Sequence, residues 1–342
     1  MPFRASAPAS LMLLGEYAVL YGKQALVCAL DKRIYVTLLP RTDNKIEIFS
    51  DSYHHTIYSA DIQQLSIQPP FQFVLGVLTQ YQDKLKQGCT IKIESEFSDQ
   101  IGLGSSAAVT VASLATLLAW LDLNVPALQQ VAIARSIVQR IQGMGSGADI
   151  AASVYGGLIR YQSSPLSVEK YTSLYPLTVL YSGFKTPTSV AVKQVRNRFA
   201  DRPDVLQRLC NDIDACVSES IPLIVQPTCL QQLGNILLKQ QALLVELEVS
   251  LPLLQHMVDS LCAQPGIFGA KISGAGLGDC VIGLGYLPDS YCYDARATHS
   301  TSSHDKDVDD STAVSLPAED SKIRVQRIPV NMTTQGVCCE AI

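Results

Sequence analysis

Residues 101–108 of the chain read Ile-Gly-Leu-Gly-Ser-Ser-Ala-Ala, and an uncharged, largely apolar run follows them to Leu121. Gly102 and Gly104 permit a left-handed backbone, and their lack of Cβ atoms lets N–H groups close on a bulky anion. This order predicts a loop that opens into a buried helix. The first turn of a helix has unpaired N–H groups and the positive end of the dipole, which favour phosphate. An N-capped core helix without a ligand explains the same residues.

The two serines of this stretch, Ser105 and Ser106, have three roles that the sequence leaves open. They could cap the helix, contact phosphate or offer a hydroxyl to Mg²⁺. The stretch is not a Walker A loop, since it has no Gly-Lys-Ser/Thr, and it does not match the dinucleotide-binding G-x-G-x-x-G pattern. The prediction of a phosphate site therefore depends on other glycine-rich turns in the chain.

The composition is that of a globular protein with a large core. The chain has 342 residues, long enough for two domains or one large α/β unit, with 47% hydrophobic and 17% charged residues. A net charge of −5 gives no general attraction to nucleic acid or to an anionic membrane. Ten scattered cysteines without a C-x-x-C pair indicate reduced thiols and a cytoplasmic protein. We expect no signal peptide and no membrane span, and a homodimer is left open.

Periodicity predicts a mixed chain of helices and strands, an α+β fold. Alternation predicts a half-buried strand at 89–95, and helical spacing covers 71–81, 105–121 and 126–142. Further strands are expected at 33–39, 46–48, 56–58, 154–161, 176–181, 281–284, 323–328 and 336–340. Helices dominate 188–263, with breaks near Pro203, Pro222–Pro227 and Pro252. Residues 287–321 are predicted to form a mobile surface insertion, whose His299 and His304 suit a solvated loop better than a metal site.

Three other stretches resemble known motifs when they are read together with 101–108. Residues 142–153, QGMGSGADIAAS, place Asp149 near a helix start, where a simple N-cap is the alternative to a catalytic role. Residues 7–22 read APASLMLLGEYAVLYG, and residues 271–280 read KISGAGLGDC. In this order the stretches resemble the motifs of the GHMP kinase superfamily. The resemblance covers nearly the whole chain apart from 287–321.

The resemblance implies a two-lobed α+β fold that uses ATP and Mg²⁺ to phosphorylate a small hydroxylated or phosphorylated molecule. The expected lobes are a ribosomal-protein-S5-like N-terminal lobe, 1–170, and a ferredoxin-like C-terminal lobe, 171–342. By the same resemblance Asp149 is the catalytic aspartate and Ser106 the Mg²⁺ ligand. ATP is expected at Gly102, Leu103, Gly104, Ser105, Ser106, Ala107, Gly274, Ala275 and Gly276. The acceptor is expected near Glu16, Tyr17, Ser146 and Gly147, although Glu16 and Tyr17 could serve only to pack a turn.

The sequence resembles two members of the superfamily that differ in the molecule they phosphorylate. Tyr17 after Glu16, the form of 142–153 and the form of 273–280 resemble phosphomevalonate kinase, which is our main expectation. Val138 stands where mevalonate kinases place a metal-binding glutamate. Residues 21–26 and 29–33 instead resemble mevalonate kinase, the alternative. A kinase for a sugar or homoserine rests on the shared motifs only, and a non-catalytic binding protein with this fold is the alternative of another class.

One departure from the family pattern concerns charge. Both kinases usually have a Gly-Lys pair in the first motif, whereas this chain has Ala9-Ser10. Serine cannot supply the charge that lowers an aspartate pKa or neutralises the γ-phosphate. We expect Lys185 to reach the site from another strand end, with Lys23 as a second candidate, although both could be surface lysines. A phosphorylated acceptor would also need a basic cluster, drawn from Lys32, Arg33, Arg140, Lys185 and Lys193.

Overall fold

The computed structural model describes residues 1–50, 57–226, 228–288, 290–293 and 324–342. Its first sheet contains eight strands within this part of the chain. They are β1 (Phe3–Leu14), β2 (Gln24–Pro40), β3 (Lys45–Ser50), β4 (Ile57–Asp61), β5 (Cys89–Ser95), β6 (Leu158–Ser163), β7 (Leu166–Tyr171) and β12 (Cys338–Ala341). The strand order is β12-β1-β2-β5-β3-β4, and β6 pairs with both β2 and β7. All pairs are antiparallel except β3 with β5.

A second, antiparallel sheet is formed by later residues in the order β11-β8-β10-β9. Its strands are β8 (Leu177–Tyr181), β9 (Ile267–Ser273), β10 (Cys280–Gly285) and β11 (Gln326–Ile328). The helices before β8 are α1 (Gln72–Gln80), α2 (Ser105–Trp120), α3 (Ala127–Gln142) and α4 (Ala148–Tyr155). Those after it are α5 (Thr188–Arg198), α6 (Pro203–Ile224), α7 (Leu230–Glu246) and α8 (Pro252–Cys262). The predicted α+β class is confirmed.

Helix α2 lies at the centre of the helices that cover the first sheet. It packs on β1 and β2 and is surrounded by α1, α3 and α4. Because protein covers it on several sides, a charged residue in its middle would lose hydration without gaining a partner, which explains its uncharged sequence. None of the described helices is long and apolar enough to cross a bilayer.

The three breaks expected within 188–263 are present, since α5 ends at Arg198, α6 at Ile224 and α7 at Glu246. Pro203 and Pro252 occupy the first turns of α6 and α8, where the missing N–H costs nothing. Pro222 lies in the last turn of α6, two residues before the helix ends. Two strands differ from expectation. Helix α4 extends into the strand expected at 154–161, so β6 begins only at Leu158. Strand β1 was not predicted, because burial on both faces removes the alternating pattern.

The later part of the chain contacts the first sheet at β1. Strand β12 returns to pair with β1, and α6 and α7 of the later residues also contact β1. The division into lobes at residue 170 stays a prediction, since the last strand belongs to the first sheet. Of the predicted insertion at 287–321, residues 289 and 294–321 lie outside the described part of the chain, His299 and His304 among them.

Candidate active site

A cavity of about 1140 Å³ opens where the first sheet, α2, α4 and the turn after β9 meet. Its lining brings together most residues expected at the site: Gly102, Gly104, Ser105, Ser106, Ala107, Glu16, Tyr17, Ser146, Gly147, Asp149, Lys185, Gly274 and Ala275. Two expected residues are not among those that line it. The side chain of Leu103 is buried in the core, and Gly276 packs against Val249, whose carbonyl oxygen would lie 2.6 Å from a Cβ at that position.

The glycine loop before α2 ends in a helix start without a side-chain cap. Gly104 occupies the N-cap with φ 68° and has no side chain to cap the helix, and the first turn contains no acidic residue. A Cβ at Gly104 would lie 2.2 Å from the Ser10 hydroxyl, so glycine is required there by packing as well as by conformation. The first-turn N–H groups of α2 therefore remain available to an anion in the cavity.

Asp149 lies in the first turn of α4 and faces the same cavity. It is not the N-cap, which is Gly147, and its Oδ1 instead accepts a hydrogen bond of 2.9 Å from the Ser10 hydroxyl. The surrounding protein desolvates the carboxyl and raises its pKa, while the Ser10 hydrogen bond and the Lys185 charge act in the opposite direction. A desolvated carboxylate with a raised pKa and a cavity in front of it is suited to accept a proton.

Lys185 follows β8 and brings a cation into the cavity from the second sheet. Its ammonium donates to the carbonyl oxygen of Asp99 at 2.8 Å, and its charge opposes the rise of the pKa of both Asp149 and Asp279. Among the described lining residues it is the sole lysine or arginine. The other candidate cations, Lys23, Lys32, Arg33, Arg140 and Lys193, do not line the cavity.

Arg33, one of the basic residues expected near the acceptor, is engaged in contacts within the fold. Its guanidinium is buried and donates to the hydroxyl and carbonyl oxygens of Ser6 and to the carbonyl oxygen of Gly336. These bonds hold the end of the chain against β1. Arg140 is likewise engaged, because it donates to the carbonyl oxygen of Gly76 on α1.

A buried ion pair that the sequence did not reveal holds the first motif to the third. Glu16 accepts from the ammonium of Lys271 on β9 and from the amide of Gln240 on α7, and the side chains of Glu16 and Lys271 are 2% and 0% exposed. Burial lowers the pKa of Lys271, and the Glu16 charge opposes that shift. Tyr17 adds a second link, since its hydroxyl donates to the Ala275 carbonyl oxygen at 2.5 Å.

Asp279 is a further carboxylate of the site. The sequence motifs gave it no role and used it only to distinguish members of the superfamily. It lines the cavity, is 6% exposed and lies against the glycine loop, where a Cβ at Gly102 would be 3.0 Å from its Oδ1. Desolvation raises its pKa to about 6, and the Lys185 charge opposes the rise. Its backbone has φ 64°, an unusual value for a residue other than glycine.

Comparisons with known proteins agree with this geometry. The family model for the GHMP kinases N terminal domain matches residues 72–157, and that for the GHMP kinases C terminal region matches residues 221–290. Mevalonate kinase from Methanothermobacter thermautotrophicus is 31% identical over 286 residues, covering 82% of this chain and 90% of that protein. Mevalonate kinase from Thermococcus sibiricus is 29% identical over 299 residues, covering 82% and 88%.

A solved structure extends the likeness to the fold. Streptococcus pneumoniae phosphomevalonate kinase, in complex with phosphomevalonate and AMPPNP, aligns with a TM-score of 0.70 and 19% identity, covering 83% of this chain and 92% of that one. At this identity the agreement concerns the fold alone. The relatives in sequence are named mevalonate kinase, so they favour the alternative acceptor over the one that the motif forms had indicated.

Proposed function

This chain belongs to the GHMP kinase family, and from that premise we propose that it transfers the γ-phosphate of ATP to a hydroxyl of (R)-mevalonate. The names of its relatives support this acceptor. The proposal replaces our expectation from the motifs, which was phosphomevalonate.

The charge of the cavity is the observation that carries the choice of acceptor. Lys185 is the one cation among the described lining residues, and it shares the cavity wall with the carboxylates of Asp149, Asp279, Glu96 and Asp99. Glu16 is already paired with Lys271. A phosphorylated acceptor would bring a second phosphate next to those of ATP, and such groups are usually held by several arginines or lysines. Mevalonate, with a single carboxylate, needs less positive charge.

The residues divide the chemistry of phosphoryl transfer among them. The first-turn N–H groups of α2 hold the phosphates of ATP, and Asp149 accepts the proton of the acceptor hydroxyl as its oxygen attacks the γ-phosphorus. The bond from that phosphorus to the bridging oxygen of ADP then breaks. Ser10 orients the Asp149 carboxylate, and the Lys185 ammonium stabilises charge on the transferred group. Mg²⁺ supplied with ATP would neutralise phosphate charge, and the hydroxyl of Ser106, which lines the cavity, is one group that could hold it.

The test of the proposed function is an assay of ADP release from Mg·ATP, run side by side on (R)-mevalonate and (R)-5-phosphomevalonate. We expect turnover on mevalonate. Turnover on phosphomevalonate alone would overturn the proposal and would support the second candidate, which rests on the form of 273–280 and on the apolar Val138 in the cavity wall. ATP binding without turnover on either compound would indicate another acceptor or a non-catalytic protein.

We expect Lys185→Ala to lower turnover by more than about tenfold, because it removes the cation that faces the transferred phosphoryl group. The measurement is the steady-state kcat with saturating ATP. Lys193→Ala is the matched control, since Lys193 is exposed on α5 and does not line the cavity. A Lys185→Ala enzyme that retains turnover within about threefold of the wild type would exclude Lys185 as the replacement for the missing lysine.

Replacing Ser10 by alanine should move the pH dependence of turnover. The Ser10 hydrogen bond lowers the pKa of Asp149 against the effect of burial, so its loss leaves the pKa higher. The carboxylate is needed in its ionised form, and the acid limb of the kcat profile should therefore shift to higher pH. Ser105→Ala, a change in the neighbouring loop, should leave the position of that limb where it is. An unshifted limb in Ser10→Ala would show that Ser10 does not act through Asp149.

A further inference from the structure

Asp279 has a buried carboxylate oxygen with no partner. Its Oδ1 is inaccessible to solvent and accepts no hydrogen bond from any described residue. The other carboxylates of the cavity wall each have a donor. Asp149 accepts from Ser10, Glu96 from the Arg33 backbone N–H, Asp99 from the Gln100 amide and Glu16 from Lys271. Asp279 thus differs from its neighbours in the same cavity.

The position of this carboxylate makes the missing partner significant. It lies against Gly102, at the loop where the phosphates of a nucleotide are expected to bind. An ionised carboxylate that is buried without a partner is costly, and phosphate oxygens beside it add repulsion. Lys185 does not relieve this, because its ammonium is bonded to the Asp99 carbonyl oxygen and forms no ion pair with Asp279 in the described structure. A cation placed between the carboxylate and the phosphates would satisfy both.

We propose that the carboxylate of Asp279 is a ligand of the divalent cation that accompanies the nucleotide. The inference rests on the proposed kinase function. It agrees with the chemistry of Mg²⁺, which is usually held in such sites by one or two carboxylates together with phosphate oxygens and water. No group of three or more His, Cys, Asp or Glu side chains able to hold a metal occurs in the described residues, so an ion here needs the nucleotide as a co-ligand.

The backbone around Asp279 is built to hold the carboxylate in place. Its N–H donates to the Phe184 carbonyl oxygen at 2.9 Å, and its own carbonyl oxygen accepts from Ser182 N–H at 2.9 Å. Both bonds tie the third glycine-rich turn to the end of β8. Val138 faces the same cavity but is apolar, so it cannot contribute a ligand.

The test measures the affinity for a non-hydrolysable ATP analogue by isothermal titration calorimetry, once with Mg²⁺ and once with EDTA. The proteins are the wild type, Asp279→Asn and Asp279→Gly, together with Glu96→Gln as a control that removes a charge from the same cavity. Asparagine and glycine both tolerate the positive φ at this position, so the turn is preserved.

We expect Mg²⁺ to strengthen binding to the wild type and to Glu96→Gln, and this gain to fall by about tenfold or more in both Asp279 variants. Without Mg²⁺ the Asp279 variants should bind the analogue at least as tightly as the wild type, because a repulsive charge is gone. An equal gain from Mg²⁺ in all four proteins would overturn the assignment of Asp279 as a ligand and would leave the proposed function standing. Weaker binding of the Asp279 variants in both conditions would reduce the residue to a structural role. A wild type that binds no nucleotide would overturn the proposed function and this inference with it.

Discussion

Replacement of Asp149 by asparagine is expected to reduce kcat by about 10²- to 10⁴-fold, the usual range for loss of a positioned general base. Asparagine has the same shape and its carbonyl oxygen can still accept from the Ser10 hydroxyl, so the hydrogen bond of 2.9 Å is retained in kind. The proton acceptor is lost, however, since an amide does not take a proton at neutral pH. The measurement is the steady-state kcat on the accepted substrate.

The same substitution should not destabilise the protein. The folded-state pKa of Asp149 is raised, so ionisation of this carboxyl costs folding free energy at pH values above its unfolded pKa. Asparagine removes that cost, and the thermal midpoint at pH 7 should equal or exceed that of the wild type. In the wild type, turnover should fall as the pH drops through the raised pKa.

The control for Asp149 is Asp122→Asn, at an exposed aspartate that follows the far end of α2. This variant should keep wild-type turnover. If Asp149→Asn retained more than about a tenth of wild-type kcat, Asp149 would not be the base. If its thermal midpoint fell sharply, the loss of activity would instead reflect a damaged fold.

Replacement of Lys271 by methionine is expected to lower the free energy of unfolding by about 3–5 kcal/mol. Methionine fills a similar volume, but the substitution leaves the Glu16 carboxylate buried with only the Gln240 amide as a partner. An uncompensated buried charge is one of the costliest single defects in a protein core. The measurement is equilibrium unfolding in urea, monitored by circular dichroism.

Two further variants make this prediction specific to burial. Glu94→Gln removes one partner of the Arg4–Glu94 pair, whose side chains are 40% and 50% exposed, and should cost less than about 1 kcal/mol. The double variant Glu16→Gln, Lys271→Met removes both buried charges and should regain much of the lost stability. If the double variant were as unstable as the sum of its single variants, the two residues would not act as a pair.

This pair also bears on the role of Glu16. Its sequence position suggested contact with the acceptor, with turn packing as the alternative. Both carboxylate oxygens accept from other side chains, Oε1 from Lys271 and Oε2 from Gln240. We therefore infer that Glu16 acts mainly by holding the first motif against the third, and that it reaches the acceptor through the position of Tyr17.

Features that depend on neighbouring residues could be predicted from the amino-acid sequence alone. The alternation at 89–95 predicted β5, the uncharged run after Ser106 predicted α2, and the glycines at 102 and 104 predicted the loop that precedes it. Each follows from backbone conformation and from which face of one element is buried, and both leave a local pattern. The order of the glycine-rich stretches was enough to place the chain in its family.

Which side chains meet across the molecule depends on how the elements pack, and this could not be predicted from the sequence. Ser10 and Asp149 are 139 residues apart, and Glu16 and Lys271 are 255 apart, so no local pattern records either contact. The unpartnered oxygen of Asp279 is visible only once that residue lies against Gly102. The number of cations in the cavity could not be predicted from the sequence either. The sequence offered several candidate lysines and arginines, and of these only Lys185 is among the described residues that line the cavity. Charge interactions depend on distance and burial, and these are set by how the two sheets pack together.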